Sequence, residues 1–197
     1  MGGEKFAHGL THSGLTLVEL MVAIAMVAIV LAIGIPEYQN FTTSNTLLAE
    51  LHTLKDDIAL ARSEASTTGS NIIICASNDP TSSTPACSGF NEWNTGWVVI
   101  SPTSSSCSAI RGTPLKVQDA FLSKNTVVFA AATGTAPTSF CFNRNGLPTS
   151  TNTTTSTTLS GMFIFNTSDN NADDSLCLGI NEAGHLNILA NGQGGCT

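Results

Sequence analysis

A continuous apolar stretch near the amino terminus dominates the hydropathy pattern of the chain. Residues 15–35 read LTLVELMVAIAMVAIVLAIGI, in which only Thr16 and Glu19 are polar. A helix needs about 20 predominantly apolar residues to cross a bilayer, whereas the apolar core of a secretory signal peptide has roughly 7 to 15. The pattern therefore predicts a membrane-spanning helix over residues 15–36, preceded by a hydrophilic leader, residues 1–14.

Helical spacing resumes beyond the apolar stretch, over residues 37–69. We therefore interpret Gly34 and Pro36 as a kink inside one continuing helix, although a proline also commonly ends a helix. Gly69 suits a left-handed cap at the carboxyl end. Apolar residues recur every three or four positions and form one stripe, which we expect to pack against the sheet of the following domain. The stripe comprises Leu47, Leu51, Leu54, Ile58, Ala61 and Ala65.

The charged residues of this second helical segment fall off the apolar stripe. A helix that packs one face on a domain leaves the opposite face to water or to other proteins. We therefore expect these side chains to face solvent or neighbouring subunits. They are Lys55, Asp56, Asp57, Arg62 and Glu64.

Short β-type runs follow Gly69, each bounded by Gly, Pro, Asn, Ser or Thr. They predict antiparallel strands joined by turns, with no long helix after residue 66. The fold class is therefore α+β: a long N-terminal helix packed on a C-terminal antiparallel β-sheet or sandwich head, residues 70–197. The predicted strands are residues 71–75, 97–100, 126–129, 140–142, 162–165, 176–180 and 186–189.

The chain has six cysteines, all of which follow the apolar stretch. Their even number and the absence of CxxC spacing favour disulfides in an oxidising compartment over a zinc site or a redox motif. Fifteen pairings are possible, and reduced cysteines buried as small apolar residues are the alternative. Pairing between near neighbours, with the remaining pair assigned by elimination, predicts Cys75–Cys87, Cys177–Cys196 and Cys107–Cys141.

The net charge limits the classes of partner. It is −7, and the seven lysines and arginines are dispersed along the sequence. Because an acidic surface repels phosphate, we expect no nucleic-acid partner unless folding gathers several of these cations.

A short motif at the start of the apolar stretch carries the most specific signal. The sequence GLTLVEL, residues 14–20, resembles the prepilin cleavage and methylation motif of type IV pilins and type II secretion pseudopilins. The resemblance implies cleavage after Gly14 by a prepilin peptidase, followed by N-methylation of Leu15. It also implies a single-pass protein of the bacterial inner membrane with a periplasmic head, which later enters a pilus or pseudopilus. These proteins usually begin the mature chain with Phe, so Leu15 departs from the pattern, whereas Pro36 matches a common helix-bending proline.

The acidic residue of the motif, Glu19, needs a physical explanation. On insertion scales, an Asp carboxylate at mid-span costs about 2.5 to 3.5 kcal/mol, so an acid in this layer should be rare. Cleavage would place the cationic amine of Leu15 one helical turn away. In a staggered filament the carboxylate of one subunit could neutralise the amine of its neighbour, so that a wrong register leaves both charges unpaired. Alternatively, Glu19 is solvated among lipid headgroups.

Three further segments narrow the resemblance to the GspH/FimT group: IALARSEA at 58–65, IIIC at 72–75 and WNTGWVV at 93–99. The group implies a long helix packed on two antiparallel sheets. It also implies a minor pilin of a pilus tip or initiation complex, supporting pilus biogenesis and twitching motility, with other minor and major pilins as partners. A secretion pseudopilin among other pseudopilins is the alternative. Trp93 and Trp97 are expected in the core or on the sheet surface.

Other chemistry finds little support in the sequence. The FimT branch is associated with DNA uptake through a GRxR motif near the carboxyl terminus, but residues 184–197 contain no Arg or Lys. No HExxH, GxSxG or P-loop motif occurs, so we expect no enzyme activity, cofactor or metal. An acidic cluster could bind calcium, although solvated charge is the interpretation we favour. The cluster comprises Asp169, Asp173 and Asp174.

Overall fold

The structure is a computed structural model that describes residues 14, 16–103, 106, 107, 109, 111–150, 159–168 and 175–196. The chain divides into two compact units, Met1–Thr42 and Thr43–Thr197, of which we call the second the head. The first helix, α1, begins in the first unit at Leu17 and ends in the head at Thr68. Nine strands and one 3₁₀ turn follow within the described part of the head.

Two antiparallel sheets form the head around the second half of α1. One has five strands in the order β3-β2-β1-β5-β6, and the other has four in the order β4-β7-β8-β9. The α+β fold with a long N-terminal helix and antiparallel sheets is therefore confirmed. The strands are β1 Ile72–Ala76, β2 Trp97–Pro102, β3 Gly112–Gln118, β4 Thr126–Ala131, β5 Ser139–Phe142, β6 Pro148–Ser150, β7 Gly161–Asn166, β8 Leu176–Ile180 and β9 Leu186–Ala190.

The elements largely follow the sequence pattern. All seven predicted strands are present, and Gly69 has a φ of +66° directly after the last helical residue, as predicted for a left-handed cap. The sequence pattern missed β3 and β6, which are the two edges of the five-stranded sheet. Both contain a proline, Pro114 and Pro148. Proline has no N–H to donate and is therefore tolerated in edge strands, which pair with a neighbour on one side only.

The apolar stripe of α1 packs on the sheets as predicted. Its six residues are at most 2% exposed and belong to one core cluster with inward-facing residues of both sheets. Four aromatic rings fill the centre of this core, with centroids 4.7 to 5.3 Å apart. Tilted and edge-on ring pairs at this spacing add stability beyond their buried area. The four are Trp93, Phe129, Phe140 and Phe163.

Trp93 is fully buried, as expected, and lies outside the strands. It begins a 3₁₀ turn, Trp93–Thr95, whose position is fixed by Asn91. The Asn91 side-chain amide donates to the Phe129 carbonyl oxygen at 2.8 Å and accepts from the Phe129 N–H at 2.9 Å. Its oxygen also accepts from Trp93 Nε1 at 3.1 Å. The amide thus pairs with the outer edge of β4, which would otherwise present free backbone groups.

A second apolar cluster covers the outer face of the five-stranded sheet. Because side chains alternate along a strand, Ile73 and Cys75 of β1 face away from α1, together with outward residues of β2 and β5. Segments outside the strands cover this face, and disulfides Cys75–Cys87 and Cys107–Cys141 attach them to it. A third disulfide, Cys177–Cys196, joins β8 to the carboxyl-terminal turn. These are the three predicted pairs, two of them predicted from proximity in the sequence and Cys107–Cys141 by elimination.

Candidate functional site

The first unit presents an exposed apolar helix. The large apolar side chains between Leu17 and Ile35 are 48 to 74% exposed. An 18-residue window of α1 reaches a mean hydropathy of 2.8, so this helix is long and apolar enough to cross a membrane. A soluble protein usually buries an apolar surface of this size. The exposure of this helix therefore indicates that it contacts an apolar partner.

A hydrogen bond at the start of α1 links Thr16 to Glu19. The backbone N–H of Glu19 donates to Oγ1 of Thr16 at 3.2 Å, and the N–H of Leu20 donates to the Thr16 carbonyl oxygen at 3.1 Å. Thr16 is therefore the N-cap, with Glu19 in the first turn, the spacing of a capping box. The sequence analysis missed Thr16, although the Thr-x-x-Glu spacing is its signal.

The remaining residues of the predicted assembly site lie along the same segment. Gly14 is described and exposed, whereas Leu15 lies outside the described residues, so the cleavage site and the pairing of Glu19 with the Leu15 amine stay predictions. α1 continues through Gly34 and Pro36 without interruption, and the kink there also stays a prediction. A Cβ on Gly34 would meet no atom within 4 Å, so packing within this chain does not require glycine.

Asp57 is buried in the head, so the expectation that it faces solvent is wrong. It is 6% exposed, and its Oδ2 accepts a 2.9 Å hydrogen bond from Nε1 of Trp97. Desolvation raises the pKa of the Asp57 carboxyl above its usual value, although the Trp97 hydrogen bond and the charge of Lys116 act in the opposite direction and Asp56 adds to the rise. The pair satisfies the indole N–H of a fully buried tryptophan and fixes α1 on β2.

This raised pKa predicts a pH-dependent stability. Folded Asp57 holds its proton to higher pH than the unfolded chain, so its contribution to stability is present below the unfolded value of 3.8 and falls as the pH rises through the folded pKa. Asn can accept the same indole bond without a charge. We expect Asp57→Asn to abolish this dependence of the free energy of unfolding on pH and to be at least as stable as the wild type at pH 7. Denaturant unfolding from acidic pH to pH 7 measures both.

The control for this prediction is Asp56→Asn, because Asp56 is the exposed neighbour of Asp57 on α1. Asp56→Asn should retain most of the pH dependence of the free energy of unfolding. Asp57→Leu should instead lose about 1–3 kcal/mol at every pH, since it leaves Nε1 of Trp97 without an acceptor. A wild-type pH profile in Asp57→Asn would contradict the assignment.

A second acid of α1, Glu50, fixes the segment between β3 and β4. It is 7% exposed and accepts hydrogen bonds from Oγ of Ser123 and from Nδ2 of Asn125, the latter at 2.8 Å. Lys124, between these two donors, has a φ of +62°, which an L-residue adopts only at some energetic cost. Glu50 thus holds a strained turn against the helix, a role that the sequence pattern did not indicate.

Arg62 also contacts the head, contrary to the expectation that it faces solvent or a neighbouring subunit. It is half-buried, and its Nη1 donates a 2.9 Å hydrogen bond to the carbonyl oxygen of Gly184. A Cβ on Gly146 or Gly184 would lie 3.3 to 3.4 Å from its Nε, so both glycines border the guanidinium closely. Arg62 thereby links the β5–β6 turn of one sheet to the β8–β9 turn of the other.

The two turns that Arg62 links are built alike. In each, an Asn oxygen, Oδ1 of Asn143 or Asn181, accepts two backbone N–H groups at 2.9 to 3.1 Å. Each ends in a glycine with φ of +70° or +74°. Asn at the first position and Gly at the fourth are the residues such turns require. The repeated N-x-x-G spacing is therefore a sequence signal for these two turns.

The structure groups no potential metal ligands among the residues that it describes. The proposed acidic cluster at Asp169, Asp173 and Asp174 lies outside those residues. The described residues therefore assemble a membrane-capable helix and a head whose attachment to α1 is polar as well as apolar.

A helix that is exposed and apolar in its first part and buried against antiparallel sheets in its second defines a pilin-like subunit. The chain belongs to the GspH family: the family model described as type II transport protein GspH matches residues 50–184, and that of the prokaryotic N-terminal methylation motif matches residues 11–35. The family comprises structural pilins and pseudopilins rather than enzymes. Membership implies processing by a prepilin peptidase, assembly with other pilins and anchoring in a membrane.

A solved structure of a minor pilin shares the fold. The type IV minor pilin FimU of Pseudomonas aeruginosa is 22% identical, with a TM-score of 0.52 over 78% of this chain and 95% of that one. The minor pseudopilin EpsH of the Vibrio cholerae type 2 secretion system is 11% identical, with a TM-score of 0.49 over 74% and 97% of the two chains. A search of curated protein sequences gives no significant match.

Proposed function

We propose that this chain is a minor type IV pilin that enters a pilus tip or initiation complex through its N-terminal helix and so supports pilus biogenesis and twitching motility. The observation that carries the proposal is the capped helix α1, which has Glu19 in its first turn, is apolar and exposed from Leu17 to Ile35 and continues into a pilin-like head. The fold that the head shares with FimU, a type IV minor pilin, supports the pilus assignment.

Processing is the first step of the proposed function. A prepilin peptidase and N-methyltransferase removes residues 1–14 after Gly14 and methylates Leu15. The subunit then resides in the inner membrane as a single-pass protein with its head in the periplasm, where the disulfides form. Glu19 pairs with the amine of an adjacent major or minor pilin and fixes the register of the helices.

Mass spectrometry of the protein from cells that contain the peptidase tests this step. We expect a mature chain that starts at Leu15, carries one additional methylene mass and contains three disulfides. Gly14→Leu should retain residues 1–14, whereas Gly34→Leu should be processed normally, because that glycine lies in open space. A mature chain that starts at another residue would refute the assignment.

A second candidate is a pseudopilin of a type II secretion system, favoured by the description of the matched family as a type II transport protein. Deletion of the gene separates the two. Loss of surface pili and twitching with normal secretion of exported enzymes supports the pilin, and the reverse pattern supports the pseudopilin.

A further inference from the structure

A groove of about 360 Å³ lies within the head, between α1 and the start of β9. Lys55, Ala59 and Arg62 line it from one face of the helix, and His185 of the β8–β9 turn and Leu186 of β9 line it from the other side. Two of the few cations of an acidic chain therefore border one cavity, together with an imidazole and an apolar floor. Lys55 makes no ion pair or hydrogen bond with any residue that the structure describes.

The strand side of this groove is formed by the β8–β9 turn and by Leu186, the first residue of the edge strand β9. β9 pairs with β8 alone, with Asn187 opposite Gly179 and Leu189 opposite Cys177. In the adjoining turn the N–H of Asn181 donates to the His185 carbonyl oxygen, so these two residues form a hydrogen-bonded pair. Hydrogen-bonded pairs alternate with non-hydrogen-bonded pairs along an antiparallel ladder, so Asn187 and Leu189 are also hydrogen-bonded to β8. The N–H and C=O groups of the intervening Leu186 and Ile188 therefore point away from β8.

These edge groups are available for pairing. Across the described residues, no hydrogen bond to the backbone of Leu186 or Ile188 is formed, whereas the next outward N–H, of Ala190, donates to Oε1 of Gln193 at 3.3 Å. Natural sheets usually cover or charge such an edge, as Asn91 does for β4. The edge beside the groove is left uncovered by the described chain.

The dimensions of the groove fit an extended peptide. Its helix wall runs from Lys55 to Ser66, which is about 16 Å at 1.5 Å per residue. A β-strand of five residues has the same length, about 17 Å at 3.3 Å per residue. A peptide laid along β9 would direct alternate side chains toward α1, where Lys55 and Arg62 lie two turns apart on one face.

We propose that this groove receives an extended acidic segment of a neighbouring pilin-like subunit, which adds a strand to β9 and pairs its carboxylates with Lys55 and Arg62. Strand addition provides backbone hydrogen bonds, and the two cations provide selectivity for acidic side chains. The apolar floor at Ala59 and Leu186 and the strand edge favour a peptide over a nucleic-acid backbone. The origin of the segment in a neighbouring subunit rests on the proposed function, whereas the peptide chemistry of the groove does not.

Peptide binding to the full chain in detergent micelles tests the chemistry. The probe is a fluorescent decapeptide of alternating Glu and Val, measured by anisotropy at low and high salt. We expect saturable binding that weakens with salt and falls at least about tenfold in Lys55→Glu, because the variant puts a like charge opposite the carboxylates. Ser63→Trp, an exposed position on the groove wall, should block binding by filling the cavity.

Three controls make the test specific. Arg111→Glu reverses a charge at an exposed residue outside the groove and should bind as the wild type does. A decapeptide of alternating Lys and Val should not bind, and a Glu–Val peptide with central prolines should bind weakly, because proline lacks the N–H that strand pairing needs. Unchanged binding by Lys55→Glu, or equal binding of the cationic peptide, would overturn the proposal.

Two further arms separate the alternatives. If a single-stranded oligonucleotide binds more tightly than the acidic peptide, with the same sensitivity to Lys55→Glu, the groove binds a phosphate backbone and not a peptide. A photoreactive residue at position 63 in cells should crosslink to a subunit that carries its own prepilin motif, and crosslinking only to lipid or to unrelated proteins would overturn the proposed partner. Glu19→Leu should bind the peptide normally, so failure of the assembly proposal and failure of the groove proposal are distinguishable.

Discussion

Glu19→Leu is expected to reach the membrane and lose its leader normally but to be nearly absent from filaments. Leucine removes the cost of burying a carboxylate, so insertion should not suffer. It also leaves the amine of a neighbouring subunit uncompensated in an apolar layer, a penalty of about 3 kcal/mol, which corresponds to roughly a hundredfold loss of incorporation. Immunoblots of sheared filaments against membrane fractions measure the ratio.

Glu19→Leu separates the effect of the Glu19 charge from the effect of the helix cap. The hydrogen bond from the backbone N–H of Glu19 to Thr16 Oγ1 survives any change of the Glu19 side chain. Thr16→Val removes this bond but keeps the carboxylate, and should cost only about 1 kcal/mol of local helix stability. Glu37→Leu, at an exposed acid just beyond the apolar stretch, is the matched control and should assemble normally. Incorporation of Glu19→Leu at the wild-type level would contradict charge pairing.

Periodicity explains why most of the fold could be predicted from the sequence. The stripe of α1 and the seven predicted strands have apolar residues at the spacing that burial imposes. β3 lacks this signal because four of its seven residues, Thr113–Lys116, are exposed at a sheet edge, and β6 has only three residues. A strand that is mostly exposed or only three residues long carries no apolar run, so its pattern resembles a loop. The edge strands β4 and β9 were predicted because they keep apolar residues that pack on the core.

The polar contacts of α1 with the head could not be predicted in this way. Asp57 and Glu50 each directly precede a stripe residue, so a count of apolar positions places them at the margin of the buried face. Their burial depends on partners distant in sequence: Trp97 is 40 residues from Asp57, and Asn125 is 75 residues from Glu50. Only the fold brings such pairs together, because an acid is buried only where a donor compensates its desolvation.

The groove beside β9 also could not be predicted from the sequence, because it is formed by residues distant in sequence. The lysines and arginines are dispersed in the sequence, which argued against a nucleic-acid partner unless folding gathers several of them. The fold brings Lys55 and Arg62 to one cavity, together with His185 of the β8–β9 turn. The hydrogen bond from Arg62 to Gly184 fixes this turn. Dispersed cations in a sequence therefore exclude a basic tail or segment but not a local site formed by tertiary contacts.

Loss of the disulfides is expected to unfold the head, in an order set by loop length. The bonds Cys75–Cys87, Cys177–Cys196 and Cys107–Cys141 close loops of 12, 19 and 34 residues. The chain-entropy model gives each about 3 to 4 kcal/mol, with the largest value for the 34-residue loop. Together they amount to about 10 kcal/mol, comparable with the whole stability of a typical domain.

Paired Cys→Ala variants of the full chain in detergent, unfolded with guanidinium, test this order. Cys107→Ala with Cys141→Ala should lose the most stability and bind a hydrophobic dye earliest, because that bond also holds a covering segment over the apolar outer face of the five-stranded sheet. Cys177→Ala with Cys196→Ala is the control, since its bond joins β8 to the terminal turn and lies outside this cluster. Equal losses with no early dye binding would mean that the outer face is closed by packing alone, and that the disulfides act only on the unfolded chain.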